Sequence, residues 1–456
     1  MPNTRIAVAV LCCSLTLCGW AQQTSTPTQQ GRSDPSFQQP SIAPSVDYTV
    51  PTEAEIKADL DRILAYYIRS TSYEIIDTAT GKPISDFTHP LKTAGPKQSL
   101  GEFGDWTYSN GVALAGMISV TQATGDKRFE DYTLKTFDFI FDHEPYFRAQ
   151  AKEFGPQRTG YGRLMEMHEL DDCGAIGAAL VKAYAYKQDP KYRAAINQVA
   201  TFISENMSRM SDGTLARTRP QLPHTIWLDD AYMSIPFLAQ MGKLTGERKY
   251  YDDAARQAIQ MSARLFNPQN ELYAHAWFEN TKYPQRFYWG RSAGWGIMSL
   301  AELLSVLPED HPDRAQIIDL FQRAAQGLSA TQSGNGMWHQ LLDKNDSYLE
   351  SSATAMFTFA IARGVNRGWL TPAYAPIAQT GWQALKEHIH DNGQIDGICV
   401  GTTAAYDAVY YYNRPTSLEA PQGYGPTLMA GAEMITLLKN FDVERKLNTF
   451  HYHRKN

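Results

Sequence analysis

The chain has 456 residues, of which 43% are hydrophobic and 20% charged, and its formal net charge is -6 at pH 7. This mildly acidic balance argues against a nucleic-acid partner, and it requires that any anionic substrate be met by local positive groups. Three of the five cysteines lie within the first 18 residues, which leaves Cys173 and Cys399. Two cysteines so far apart predict neither a disulfide framework nor a metal site. We expect buried free thiols, with a bond between the two as the alternative.

Residues 1–21 have the pattern of a secretory signal peptide. Arg5 precedes an apolar run over residues 6–17, and small residues follow it. The run is too short to cross a membrane as a helix, so we predict cleavage after Ala21, export to the periplasm or outside the cell, and no transmembrane segment. A lipid anchor at Cys18 is the alternative, which the bulky residue before it disfavours.

Residues 22–50 are rich in Gln, Pro, Ser and Thr and predict a flexible leader that does no chemistry. Residues 51–456 are predicted to form a single domain. A chain of this length usually divides into several domains unless a repeat lets one core extend, and such a repeat is present. Its unit is a nearly all-apolar helix, a tight turn that combines Gly or Pro with charged residues, and an amphipathic helix.

The chain begins this pattern with an amphipathic helix predicted over residues 52–69. Four apolar helices then precede turns, and they read GVALAGMISVT (111–121), GAIGAALVKAYAY (174–186), AYMSIPFLAQMGKL (231–244) and GWGIMSLAELLSVL (294–307). An amphipathic helix follows each turn, as in KYYDDAARQAIQMSARLF (249–266). A fifth unit covers residues 350–389, and a last apolar helix covers residues 425–441.

Five hairpins and two end helices give twelve helices, and the first can pair with the last. We therefore predict an all-α fold, an (α/α)6 barrel or six-hairpin toroid with apolar helices inside and amphipathic helices outside. Minor short strands are expected at LYAHAW (272–277) and GQIDGICVGT (393–402).

The inner helices of such a ring run parallel, so their N-terminal ends gather at one mouth. The segments at these ends are GDWTYSNG (104–111), MHELDDCG (167–174), HTIWLDDAY (224–232), YWGRSAGW (288–295), YLESSAT (348–354) and QGYGP (422–426). They combine aromatic rings with carboxylates and an arginine. This combination suits a carbohydrate, because aromatic side chains stack on the sugar ring and polar groups bind its hydroxyls.

The acidic and hydroxyl residues at the mouth also have a purely structural interpretation. Asp and Ser are preferred at helix N-termini, so Asp171, Asp172, Asp229, Asp230 and Ser352 could each simply begin a helix. Neighbouring residues on a helix point about 100° apart, so one Asp of each pair can cap while the other faces the lumen. Two LDD motifs in successive inner helices are harder to explain by capping alone.

The arginine and the histidines likewise have two interpretations. Arg291 and Trp295 share a helix face, with Trp289 just ahead, so the guanidinium could hold a carboxylate or could tie two helices together by stacking on a core indole. His275 and His339 lie in aromatic surroundings, although a lone histidine is more often structural. The sequence contains no phosphate-binding glycine loop, no nucleophile elbow and no metal-ligand spacing, so we expect no cofactor.

Four motifs occur in order: HELDDCG (168–174), TIWLDDAYM (225–233), WGRSAGWG (289–296) and YLESSATAM (348–356). Together they resemble the unsaturated rhamnogalacturonyl hydrolases, glycoside hydrolase family 105, and more distantly the unsaturated glucuronyl hydrolases of family 88. The resemblance implies an α/α six-hairpin barrel that removes the 4,5-unsaturated uronic acid left by a polysaccharide lyase. An aspartate protonates C4 and promotes attack of water at C5, and the resulting hemiketal opens to release the neighbouring sugar, without a metal or organic cofactor.

The resemblance also implies roles for particular residues. Asp229 matches the acid/base aspartate, and we expect apolar surroundings to raise its pKa toward working pH. Asp172 resembles the second active-site aspartate, with Asp171 left open. Asp230 is assigned a capping or supporting role. Substrate contacts are implied for Arg291, Trp289, Trp295, His275, Trp106 and Tyr108.

The sequence thus predicts an exported glycoside hydrolase that acts on unsaturated galacturonyl-rhamnose from rhamnogalacturonan, in pectin degradation. One alternative is the same reaction on unsaturated glucuronyl oligosaccharides. A second is a non-catalytic glycan-binding protein of the cell envelope, which would not require Asp229. A third, an epimerase, would need a pair of histidines at the helix mouths, and the sequence does not place one there. The oligomeric state and the sugar next to the uronate are left undecided.

Overall fold

Helices make up most of the structure, a computed structural model that describes residues 48–98, 103–156, 160–219, 223–447 and 449–455. The predicted signal peptide and almost all of the predicted leader lie outside these residues. The helices are α1 (Glu53–Ser70), α2 (Tyr108–Thr124), α3 (Lys127–Phe154), α4 (Gly162–Met165), α5 (Gly174–Tyr184), α6 (Pro190–Thr201), α7 (Asp229–Tyr232), α8 (Ile235–Thr245), α9 (Arg248–Leu265), α10 (Gly290–Leu304), α11 (Arg314–Ala330), α12 (Ser351–Asn366), α13 (Ala375–Lys386), α14 (Ala408–Tyr412) and α15 (Tyr424–Asn440).

The strands are short and antiparallel. They are β1 (Ile75–Asp77), β2 (Ala94–Pro96), β3 (Thr225–Trp227), β4 (Phe266–Asn267), β5 (Leu272–Tyr273), β6 (Ala276–Phe278), β7 (Tyr283–Gln285), β8 (Phe441–Lys446) and β9 (Thr449–Arg454). Strand β6 lies between β3 and β7, while β1–β2, β4–β5 and β8–β9 form pairs. The predicted segment 272–277 therefore contains strands, whereas 393–402 contributes only single bridges, such as that between Cys399 and Thr416.

Six inner helical segments form a closed ring. Helix α2 packs on α5, α5 on α8, α8 and α7 on α10, α10 on α12, α12 on α15, and α15 on α2. Helices α3, α6, α9, α11 and α13 pack outside the inner helix that precedes each of them, and α1 packs on α15. The predicted (α/α)6 toroid is confirmed, including the pairing of the first helix with the last. Cys173 and Cys399 are both buried free thiols, as expected.

Burial explains the division into inner and outer helices. Every residue of α12 is buried, so its surroundings are protein on all sides. Helix α9 instead buries one face, which includes Tyr251, Ala255, Ala258 and Leu265 at helical spacing. A helix that is apolar all round must be enclosed, whereas an amphipathic helix can cover it and present its polar face to water.

Close approach of the inner helices brings their N-terminal ends together. A methyl group added at Gly111 would collide with the backbone of Ile176, and one at Gly174 would collide with the carbonyl of Met233. In both pairs each residue lies near the start of its own inner segment, so the inner helices run parallel. The first residues of the inner helices consequently share one mouth of the ring, and their last residues share the other.

One apolar segment that was predicted as a continuous helix is broken in the structure. Residues 231–244 divide between α7 and α8, with Ser234 at the break. Pro236 is the physical reason, because it has no N–H to donate to the preceding turn and its ring would clash with that turn's carbonyl. Ser234 bridges the break with a hydrogen bond from its hydroxyl to the carbonyl oxygen of Asp230, at 2.7 Å.

The C-terminal hairpin of β8 and β9 was not anticipated from the sequence. Within the described residues, no helix combines the length and apolar character needed to cross a membrane.

Candidate active site

The small sheet β3–β6–β7 brings three distant parts of the chain to the mouth of the ring. Asp229 follows β3 directly, and His275 precedes β6. The backbone N–H of Leu228 donates to the carbonyl of His275 at 2.9 Å, and the N–H of His275 donates to the carbonyl of Phe287 at 3.0 Å. The chain after Phe287 enters α10, which carries Arg291. The sheet therefore places the aspartate, the histidine and the start of α10 side by side.

Asp229 lies at the centre of this group and keeps part of its carboxylate accessible, with 14% of its side chain exposed. Its Oδ2 accepts a hydrogen bond from the Ser292 hydroxyl at 3.0 Å and lies 3.3 Å from Nε2 of His275. Burial raises the pKa of Asp229, but His275, the charge of Arg217 and the Ser292 hydrogen bond together hold that pKa below its usual range. The expectation of a raised pKa for Asp229 is therefore wrong, because its polar partners outweigh desolvation.

His275 is completely buried and is oriented by a residue far along the chain. Its Nδ1 lies 2.7 Å from the hydroxyl of Tyr411, and that hydroxyl accepts the backbone N–H of Ala405 at 3.2 Å. The hydroxyl can donate its own hydrogen to Nδ1, which leaves the ring hydrogen on Nε2, the nitrogen 3.3 Å from Asp229.

The second aspartate of the motif, Asp230, forms a fully buried ion pair. Arg217 donates to both of its carboxylate oxygens, through Nε at 2.9 Å and 3.1 Å and through Nη2 at 2.7 Å. The guanidinium also stacks on the ring of Trp227, 4.2 Å from its centre. Burial raises the pKa of Asp230 to about 6 even though the charge of Arg217 opposes that shift. This geometry gives Asp230 a supporting role, in agreement with the sequence expectation.

The two aspartates of the first LDD motif point in different directions. Asp172 is buried, and its carboxylate accepts the backbone N–H groups of His168 at 2.9 Å and Glu169 at 3.1 Å. Asp171 is half-buried and accepts a hydrogen bond from Nη2 of Arg217 at 3.1 Å. Asp172 also lies 3.5 Å from Nε of Arg163. The structure therefore places Asp171, and not Asp172, on Arg217, the guanidinium that also binds Asp230.

Desolvation and neighbouring charges act on Asp171. Burial raises its pKa, Arg217 lowers it, and Asp229 and Glu169 raise it further, so the net shift is upward. Asp229 and Asp171 thus form a pair of carboxylates whose pKa values move apart. Carboxylates with shifted pKa values are common at functional sites, which makes this pair a candidate for the chemistry.

Arg291 is 2% exposed and is largely occupied by the protein. Its Nη1 donates to the carbonyl of Cys399 at 2.5 Å and to Ser352 Oγ at 3.4 Å, and its Nη2 donates to the carbonyl of Val400 at 2.7 Å. The guanidinium stacks on Trp289 at 4.6 Å. These contacts match one of the two interpretations drawn from the sequence, in which Arg291 ties helices together by stacking on a core indole. Nε and the second hydrogen of Nη2 have no hydrogen-bond acceptor within the described part of the chain, so binding of a substrate carboxylate stays a prediction.

The four predicted aromatic residues divide between mouth and core. Tyr108 is half-buried at the start of α2 and stands edge-on to Trp295 at 6.3 Å, and burial raises its pKa although the charge of Arg291 opposes that shift. Trp289 and Trp295 are almost fully buried, and the Trp289 ring lies 4.7 Å from that of His275.

Trp106 does not reach the wall of the mouth as expected. It is completely buried, and its indole N–H donates to the backbone carbonyl of Asp172 at 2.8 Å.

Sequence reasoning missed Arg217, Tyr411 and Ser292. Arg217 could have been sought, because a buried aspartate needs a cation nearby. A backbone bridge between Arg217 and Thr225 places it next to β3. Tyr411 had no local signal, since it meets His275 only through the fold. The other candidate, His339, has a structural role: its Nδ1 lies 2.5 Å from the carbonyl of Ser347.

Comparison with known proteins identifies the family. The model described as Glycosyl Hydrolase Family 88 matches residues 76–438, which is well over half of the chain. The chain belongs to Glycosyl Hydrolase Family 88. The resemblance drawn from the motifs is confirmed, and this family 88 member is a glycoside hydrolase.

Curated relatives and solved structures agree with this assignment. The unsaturated rhamnogalacturonyl hydrolase YesR of Bacillus subtilis (strain 168) is 27% identical over 71% of this chain and 87% of its own. An unsaturated 3S-rhamnoglycuronyl hydrolase of Alteromonas sp. (strain LOR) is 29% identical over 38% of this chain and 43% of its own. A family 105 glycoside hydrolase of C. acetobutylicum ATCC 824 superposes with a TM-score of 0.65 at 27% identity, over 74% of this chain and 96% of that structure.

Proposed function

We propose that this family 88 enzyme removes a 4,5-unsaturated uronic acid from the non-reducing end of a polysaccharide-lyase product, with unsaturated galacturonyl-rhamnose as the preferred substrate. The observation that carries the proposal is the group around Asp229: one partly accessible carboxylate at the mouth of the ring that accepts a hydrogen bond from Ser292 at 3.0 Å and lies 3.3 Å from Nε2 of His275. The likeness to YesR, which spans 71% of the chain, supports the choice of substrate.

In this proposal Asp229 is ionised in the free enzyme and takes up a proton when substrate binds. A uronate carboxylate placed near Asp229 adds a like charge, and a like charge raises the pKa of a carboxyl group. Protonated Asp229 then gives its proton to C4 of the double bond. Water adds at C5 and passes a proton back to the same carboxylate, after which the hemiketal opens and the neighbouring sugar leaves.

Asp171 replaces Asp172 as the proposed second active-site carboxylate. Its accessible oxygen would accept a hydrogen bond from a sugar hydroxyl, and burial raises its pKa above the usual value of an aspartate. Tyr108 and Trp227, both half-buried, would contact the sugar ring. The indole N–H of Trp227 is buried and has no acceptor within the described residues, so a substrate oxygen would satisfy it.

The test follows the ultraviolet absorbance of the conjugated double bond while purified enzyme acts on lyase-digested rhamnogalacturonan. Loss of absorbance together with release of a rhamnose-terminated product is expected for the wild type. Asp229→Asn serves as the catalytic control, because asparagine keeps the size and the Ser292 contact but cannot hold the proton. Release of the uronic acid with its double bond intact would contradict the proposed hydration.

The second candidate substrate is an unsaturated rhamnoglycuronyl or glucuronyl oligosaccharide. The 29% identical Alteromonas relative, named an unsaturated 3S-rhamnoglycuronyl hydrolase, favours it. Parallel assays on lyase products of ulvan and rhamnogalacturonan decide between the two, because the preferred substrate has the higher kcat/KM. We further propose export of the enzyme through residues 1–21, which N-terminal sequencing of the secreted protein would test by starting at Gln22.

A further inference from the structure

A second cavity lies at the opposite mouth of the ring, away from the candidate active site. Its volume is about 440 Å³, and it is lined by the last turns of α2, α5, α8, α10 and α12. Basic residues are expected at such ends, because they offset the partial negative charge of helix C-termini. Basic residues at this mouth therefore do not by themselves indicate a ligand. What distinguishes them is whether each one is paired with a carboxylate.

Four charged side chains at this mouth neutralise one another. Lys182 and Arg363 each lie 2.5 Å from a different carboxylate oxygen of Glu302, and Nε of Arg363 lies 2.8 Å from Glu433. Two cations and two carboxylates balance, so this network leaves no net charge. Nη2 of Arg363 makes no hydrogen bond within the described part of the chain, and Arg363 lines the cavity.

Two further cations that line the cavity have no carboxylate partner among the described residues. Lys243 and Arg367 are both exposed, and neither side chain forms an ion pair or a hydrogen bond with any residue that the structure describes. Together with the neutral network they give the cavity a formal excess of two positive charges. An excess of this kind attracts an anion.

Gln240 provides an independent indication that a ligand binds here. It is 8% exposed and lines the cavity, yet its amide has no hydrogen-bond partner in the described residues. The side chain is therefore held in place by its surroundings, while its amide stays available to a molecule in the cavity. An amide both donates and accepts, which matches a sugar hydroxyl.

We propose that this cavity binds a small carboxylate-bearing sugar of the uronate class. Lys243 and Arg367 meet the carboxylate, and Gln240 and Arg363 meet the hydroxyls. The volume supports this class over inorganic phosphate, because about 440 Å³ falls in the range of cavities that enclose organic ligands. The proposal is independent of the reaction at the other mouth.

Isothermal titration with D-galacturonate tests the proposal on the full enzyme. D-galactose serves as the uncharged probe of similar size and inorganic phosphate as the charged probe without hydroxyls on carbon. We expect saturable binding of galacturonate, with both other probes at least about tenfold weaker. Lys243→Gln and Arg367→Gln should each weaken galacturonate binding about tenfold, and Gln240→Leu should weaken it as well.

The matched control is Lys152→Gln, which removes an exposed cation from the last turn of α3, outside the cavity. It should leave galacturonate binding unchanged. Thermal unfolding of each variant verifies that the fold is intact. Absence of galacturonate binding, equal binding of galactose or phosphate, or galacturonate binding that survives both Lys243→Gln and Arg367→Gln unchanged would each overturn the proposal.

Discussion

The two mouths of the ring differ in how their buried carboxylates are paired with cations. At the C-terminal mouth, Glu302 is almost fully buried between Lys182 and Arg363, which lower its pKa to about 2 against the desolvation that would raise it. At the N-terminal mouth, Arg217 alone contacts three carboxylates, those of Glu169, Asp171 and Asp230. At one mouth two cations share one buried carboxylate, and at the other one guanidinium is shared by three carboxylates.

The two charge arrangements suit two different roles, stability at one mouth and chemistry at the other. A buried carboxylate with two cations is fixed in its ionised form and cannot exchange a proton near neutral pH. Where carboxylates share one guanidinium, burial is less fully offset, and the pKa values of Asp171 and Asp230 are both raised. The comparison therefore assigns a structural role to Glu302 and is consistent with the chemical roles proposed for Asp229 and Asp171.

The strongest test of the comparison is Asp229→Asn. We expect kcat on the unsaturated substrate to fall by about 10³-fold or more, because general acid/base groups contribute on that scale. The midpoint of thermal unfolding should change little, since asparagine can still accept the Ser292 hydrogen bond. Retention of more than a tenth of the activity would remove Asp229 from the mechanism.

The C-terminal mouth should determine stability in acid. The folded pKa of Glu302 lies below its usual value of 4.5, so its contribution is complete above that pH and is lost as the pH falls toward about 2. The shift corresponds to about 3 kcal/mol of unfolding free energy. Urea unfolding across this pH range should show the loss in the wild type.

Glu302→Gln is the matched variant for that measurement. It should be less stable at neutral pH, because Lys182 and Arg363 lose a shared partner, and it should lack this part of the acid dependence. An unchanged slope of stability against pH in Glu302→Gln would show that other carboxylates cause the acid sensitivity.

The two aspartates of the first LDD motif allow a paired test. Asp171→Asn should lower kcat/KM about 100-fold with little change in stability, because its side chain is half-buried at the site. Asp172→Asn should lower stability by about 1 kcal/mol or more and leave the pH profile of kcat/KM in place, because its carboxylate binds backbone N–H groups. The reverse result would restore Asp172 as the active-site residue.

The smallest expected effect is that of Tyr411→Phe. Loss of the hydroxyl frees the His275 ring, which weakens the contact that lowers the pKa of Asp229. We expect kcat to fall about tenfold and the apparent pKa of Asp229 in the kcat/KM profile to rise. A tenfold loss without a shift in the profile would indicate a purely structural role for Tyr411.

Much of the fold could be predicted because it depends on local patterns. Apolar helices alternate with amphipathic ones, and the turns carry helix stops such as Gly125 and Gly246, both with positive φ. The apolar pattern did not predict the break at Ser234, because apolar residues continue across Pro236. The helix breaks there because Pro236 has no N–H to donate to the preceding turn.

The motifs predicted which segments form the candidate site, but they did not predict the contacts between those segments. Asp229 and His275 do meet, but the contact arises from pairing of β3 with β6, two strands whose register is a property of the fold. Trp106 could not be assigned to core or wall from its neighbours in sequence. The pKa of Asp229 was misjudged because its polar partners come from other elements, namely Ser292 and His275.

The sequence by itself determined the helical ring, the gathering of the LDD motifs at one mouth and the family, because these follow from periodicity and from residues close together in the chain. Only the tertiary structure decided which contacts each aspartate of a pair makes. Adjacent side chains diverge, and their directions depend on how each turn packs. It also decided that Arg217 and Tyr411 belong there and that Glu302 is balanced, because each interaction joins residues from separate parts of the chain.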